Sequence, residues 1–127
     1  ALEGLWWVKD GNFYIDVKDN WLYTVMIMQP DLVTPKGFTE ALAQLRKKKG
    51  DQPGFARLRL ETFEEGLCVQ TMHIGPYATE PATVARMQAF TAENGYTMSG
   101  KHHEIYMGSV LRADPAKLKT VLRHPIG

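Results

Sequence analysis

A histidine, a glutamate and a tyrosine spaced two residues apart, His102, Glu104 and Tyr106, are the part of this sequence best equipped to act on another molecule. They lie in the run Gly100-Lys101-His102-His103-Glu104-Ile105-Tyr106-Met107, with Gly95 before it and Gly108-Ser109 after it, which reads as a strand between turns. Successive strand side chains point to opposite faces, so the three polar residues share one face and Ile105 and Met107 the other. An ionised carboxylate is seldom buried without a partner or a task. If Glu104 faces inward, desolvation raises its proton affinity and suits it to general acid or base chemistry. The same alternation also allows a solvated sheet face on which Glu104 does nothing.

Other chemistries find less support. His102 and His103 are adjacent and point to opposite faces, and His73 and His124 lack ligand spacing to either, so no metal is expected. Serine–histidine–aspartate arrangements, glycine-rich phosphate loops and dinucleotide fingerprints are absent, and no cofactor is implied. His73, just before Gly75-Pro76, reads as a strand-end hydrogen bonder. The single cysteine, Cys68, rules out an internal disulfide, alternates with apolar residues and reads as a buried inert thiol.

The elements that must position Glu104 follow from pattern and punctuation. Ala1 to Val8 is apolar from the first residue and reads as strand, and Lys9 to Asn20 as a connection. Trp21 to Met28 is a strand ended by Pro30, with Trp21, Tyr23, Val25 and Ile27 on one face and Leu22, Thr24, Met26 and Met28 on the other. Thr34 and Pro35 open a helix with a stripe of Phe38, Ala41, Leu42 and Leu45, closed by Arg46-Lys47-Lys48-Lys49 and Gly50. Phe55 to Phe63 alternates leucine with arginine and reads as a strand forming a hairpin with Leu67 to Ile74. A second helix is predicted from about Glu80 to Asn94, and Asp114-Pro115 is predicted to cap a last short helix with Leu118, Val121 and Leu122 inward. The result is an α+β class, an antiparallel sheet with helices on one face.

At 127 residues the chain is one domain with a real core, and 44% hydrophobic with 23% charged residues is a globular composition. Fifteen basic against fourteen acidic residues leave a net charge of +1, no basis for nucleic-acid binding. No apolar run approaches the roughly 18–20 residues of a membrane span, and no secretory signal is seen, so a cytoplasmic protein is expected.

Several blocks, taken in order, resemble the GyrI-like (gyrase-inhibitor-like) small-molecule-binding family. They are Leu2-Glu3-Gly4-Leu5-Trp6, Met26 to Val33, Glu65-Gly66-Leu67-Cys68-Val69-Gln70, and His73-Ile74-Gly75-Pro76-Tyr77 with Glu80-Pro81. The last is His102-His103-Glu104-Ile105-Tyr106 followed by Pro115 to Pro125. Met107-Gly108-Ser109 departs from the family, whose members usually carry leucine, serine and aspartate there. The resemblance implies two strand-helix-strand-strand modules with a ligand cleft between them on the sheet, and it assigns the cavity glutamate to Glu104. Residues 1–63 would be the remainder of a first module that lacks its opening strand and helix, and 64–127 a complete second module. A homodimer would then cover the exposed sheet edge.

On that frame Trp6, Trp21, Tyr23 and Tyr106 line the Glu104 face, with Met26 or Met28 as soft filler. Flat rings and one carboxylate suit a planar or cationic apolar small molecule. The resemblance further implies three functions to separate: binding of such amphipathic molecules; hydrolysis of cyclopropane-bearing alkylating natural products by Glu104 with help from Tyr106; and a protein-interaction role of gyrase-inhibitor type.

Overall fold

The computed structural model describes residues 1–109 and 111–127. Five strands, β1 (Leu2–Val8), β2 (Trp21–Ile27), β3 (Cys68–Ile74), β4 (His102–Tyr106) and β5 (Lys119–Pro125), form one antiparallel sheet in the order β2-β1-β4-β5-β3. With helices α1 (Pro35–Lys49) and α2 (Glu80–Glu93) the class is α+β. The chain divides into two compact units, residues 1–27 with 65–127, and residues 28–64.

The first unit holds the whole sheet. Cross-strand partners share a face, and the register puts Trp6 opposite both Tyr23 and His102, and Gly4 opposite both Val25 and Glu104. Glu104 is in turn opposite Leu122, which is opposite Thr71. On this face α2 packs against the β5 and β3 end, where Val69, Val84, Met87 and Leu122 form the core with Ile15, Met98 and Ile126 against it. Leu122 is fully buried. α2 ends at Asn94-Gly95, where Gly95 at φ 79° takes the left-handed turn that releases the chain toward β4.

The second unit is built around α1. Thr34 Oγ1 accepts from the Gly37 backbone N–H at 3.0 Å, Pro35 fills the first turn, and Gly50 at φ 73° ends the helix after four basic residues.

Two predicted elements are replaced. Phe55 to Phe63 is not a strand: Pro53–Arg57 is a single 3₁₀ turn, closed by Phe55 N–H to Gln52 O and Leu58 N–H to Phe55 O, and no regular element follows before β3. The leucine–arginine alternation forms no strand, and β3 takes its antiparallel partner from β5 instead. The closing helix is likewise limited to the turn Pro115–Lys117, with Asp114 accepting from Ala116 N–H at 3.0 Å. Residues 119–125 are instead β5, a strand flanked by both β4 and β3. The inward residues are Thr120, Leu122 and His124 at period two, and the spacing of Leu118, Val121 and Leu122 imitated a helical stripe.

Candidate active site

The face chosen by the β1–β4–β5 register carries a continuous polar constellation around Glu104. Its side chain is nearly out of water, the residue being 5% exposed. Glu104 Oε1 lies 3.2 Å from His102 Nε2, and Oε2 accepts from the Tyr106 hydroxyl at 2.8 Å. The Tyr106 oxygen in turn accepts from Trp6 Nε1–H at 3.2 Å. The period-two spacing of the strand therefore does what it suggested, bringing all three polar residues to one face with both carboxylate oxygens satisfied.

Another carboxyl group reaches this cluster from the first turn of α2. Glu80 is 3% exposed and joined to Glu104 by a hydrogen bond, and its Oε1 is buried without a donor. Burial, then the charge of Glu104, then that hydrogen bond push the Glu80 carboxyl up to about 9; Lys18 pulls weakly the other way. Burial acts to raise Glu104 as well. There the bond and charge of His102, with bonds from Glu80 and Tyr106, outweigh it and hold Glu104 below the usual carboxylate range. The pair thus shares one negative charge, on Glu104, and Glu80 keeps its proton. Burial and the Glu104 charge also push the Tyr106 hydroxyl up, so it stays a donor.

A ladder of rings runs along this face and ends at the His102 that contacts the carboxylate. Tyr23, Trp6, Trp21, Phe13 and His102 follow one another with centroids 5.3, 5.3, 4.9 and 5.5 Å apart. Tyr77 meets Tyr106 edge-on at 6.2 Å. Tyr23 is 62% exposed and Trp6 and Trp21 are half-buried, so the ladder offers ring surface to solvent. Its other end, Phe13 and His102, forms part of the wall of a cavity of about 610 Å³ between residues 11–16 and α2, where His124 also lies. Burial, with the nearby His102, holds the His124 imidazole down at about 4.

Of the residues expected at the site, Trp6, Trp21, Tyr23, Glu104 and Tyr106 share this face. Met26 does not: it pairs with Glu3, on the opposite side of the sheet from Glu104. Both faces of β2 are largely apolar in sequence, which offered no signal for which side its methionines would take, and the strand lies at the sheet edge with neither face buried. His103 also turns to that far side, between Glu65 at 2.7 Å and Glu3 at 2.9 Å. His73 is bound by Thr83 at 2.8 Å and by the Pro76 carbonyl at 3.0 Å. Glu80 and Phe13 are the additions. An acidic residue beside a proline at a helix start reads as a dipole complement, which hid Glu80; Phe13 lay in a connection with no periodicity.

Gly4 is the remaining contributor. A Cβ there would sit 2.7 Å from Trp6 Nε1 and 3.1 Å from the Tyr106 oxygen. Gly4→Ala is expected to part Trp6 from Tyr106 and to cost about 1–3 kcal/mol by overpacking, read as a changed near-ultraviolet tryptophan signal and a lower urea midpoint. An unaltered spectrum would show that the indole has room to give.

The model of the GyrI-like small molecule binding domain matches residues 6–126 of this chain. Three solved structures from Listeria innocua are similar. An uncharacterized conserved protein is 43% identical with a TM-score of 0.91, the match covering 99% of this chain and 63% of that one. A hydrolase is 40% identical with a TM-score of 0.84 over 99% and 61% of the two chains. A further hydrolase is 42% identical with a TM-score of 0.85 over 99% and 62%. The present chain thus spans less than two thirds of each. No curated protein matches it.

Proposed function

We propose that this chain, which belongs to the GyrI-like small molecule binding domain family, holds a planar apolar molecule against the Trp6–Trp21 ring ladder and hydrolyses it with water activated by Glu104. One observation carries the reading: a buried carboxylate with a hydrogen-bond partner on each oxygen lies next to a carboxyl group that keeps its proton. Two of the similar Listeria innocua proteins are hydrolases, which agrees with a reaction.

The substrate class is the cyclopropane-bearing alkylating natural products. The flat chromophore stacks on the rings, which supply area at little entropic cost. Glu104 takes a proton from water as the water oxygen bonds to a cyclopropane carbon. The ring C–C bond breaks, and its electron pair moves into the conjugated carbonyl. The proton on Glu104 then passes to the enolate oxygen, leaving an alcohol and a neutral phenol. Tyr106 fixes the direction of the Glu104 carboxylate through its 2.8 Å bond and is itself held by Trp6.

Incubating the protein with a cyclopropanoid in heavy-oxygen water is expected to place the heavy oxygen in the alcohol product faster than in buffer alone. Recovery of intact ligand would reduce the activity to binding. That second reading is favoured by the open ring surface of Tyr23, which could hold planar or cationic amphipathic compounds without turnover.

A further inference from the structure

We propose that Glu80 is the positioning residue of the site: from the first turn of α2 it donates a carboxyl hydrogen bond to Glu104 and so fixes that carboxylate as the base. The inference rests on Glu104 being the reactive group, as argued above, and adds a residue to it.

Geometry decides which of the two carboxyl groups is the donor. Each oxygen of Glu104 has a partner of its own, His102 on Oε1 and Tyr106 on Oε2. Glu80 Oε1 is buried and has none. A charged carboxylate with a dry, unpartnered oxygen is far more costly than a neutral one, so the charge belongs on Glu104 and the proton on Glu80. The charged and titratable groups around Glu80 are Glu104 on β4, Tyr77 in the turn before α2, and Lys18 from the β1–β2 connection. Only Lys18 favours a charged Glu80, and Glu104, the stronger influence, opposes it. The helix N-terminus would ordinarily favour an anion at this position. Burial against another carboxylate reverses that preference.

The arrangement gives Glu80 a task distinct from packing. Burial by itself raises the proton affinity of Glu104 and works against its use as a base. The bond from Glu80 joins those from His102 and Tyr106 in stabilising its anion. Removing the donor while keeping the shape should therefore raise the proton affinity of Glu104 and little else.

Carbon-13 carboxyl titration by NMR of glutamate-labelled protein tests this without any substrate, the Glu104 signal being assigned by its loss in Glu104→Gln. Glu104 is expected to titrate below the ordinary carboxylate range in the wild type. In the shape-conserving Glu80→Met it should move up by roughly one pH unit or more, and Glu80→Gln, which restores an N–H donor, should bring most of that shift back. If Glu80→Met does not fold, Glu80→Ala takes its place. On a cyclopropanoid substrate the same shift should appear in the acidic limb of kcat/KM. There kcat for Glu80→Met should be about tenfold lower with KM held within about twofold, and Glu80→Gln intermediate. An unmoved Glu104 titration in Glu80→Met and Glu80→Ala overturns the role of Glu80. The expected titrations with no turnover by the wild type would instead overturn the hydrolytic reading and leave the positioning role standing.

Discussion

Glu104→Gln is expected to lower the turnover of a cyclopropanoid substrate by about 10²–10⁴-fold, the ordinary worth of a positioned general base. Glutamine preserves the shape and keeps a carbonyl oxygen to accept from Tyr106 or Glu80. It cannot take a proton from water, so the step lost is the chemical one. Affinity for the planar ligand, measured by fluorescence quenching of Trp6 and Trp21, should stay within a few-fold, because stacking area is untouched. A variant that binds and turns over like the wild type would remove Glu104 from the mechanism. A variant that loses both binding and turnover would show that the carboxylate is instead a recognition element. The stability effect has a predictable direction as well. Removing the charge on Glu104 relieves Glu80 of its nearest repulsion, so the Glu80 carboxyl should titrate lower in this variant.

How much of this was legible in the residues depends on whether the signal was local. The β4 triplet was: two-residue spacing and flanking glycines suffice to put His102, Glu104 and Tyr106 on one face, and the register confirms it. The caps of α1 were equally local, a threonine, a proline and a glycine at fixed offsets. β5 was not, because a strand between two others carries inward residues at period two, while Lys117 to Arg123 also offers apolar residues at helical spacing. What separates the two is the demand of β3 and β4 for a common neighbour, which no seven-residue window contains. Glu80 failed for a related reason. Its role comes from a carboxylate twenty-four positions away, and in its own context an acidic first turn is an ordinary helix start. The alternation in Phe55 to Phe63 had the form of a strand, but Pro53 and Gly54 begin a 3₁₀ turn there and no strand forms.

The unfolding free energy of the wild type should be nearly flat between pH 4.5 and 6.5 and should then fall by on the order of 3 kcal/mol up to pH 9. Glu80 sets the fall. Its folded value of about 9 lies above its ordinary value of 4.5, so the folded chain keeps a proton that the unfolded chain has released. Stability from this group is complete below 4.5 and drains away as pH rises toward 9. His124 acts in the opposite direction. Its folded value of about 4 lies below the ordinary 6.5, so between those values the unfolded chain takes up a proton that the folded chain refuses, and acidification destabilises. Where the two windows overlap the slopes cancel, and above 6.5 Glu80 stands alone. Urea denaturation across this range checks both parts of the curve. In Glu80→Gln the drop above 6.5 should vanish and a rise from 4.5 to 6.5 should emerge, exposing His124. A wild-type curve that stays level to pH 9 would mean that Glu80 is ionised in the folded protein. Two buried carboxylates would then share the site, and the division of labour between base and donor would be lost. The destabilisation at alkaline pH is thus the thermodynamic counterpart of the same hydrogen bond that readies Glu104 for water.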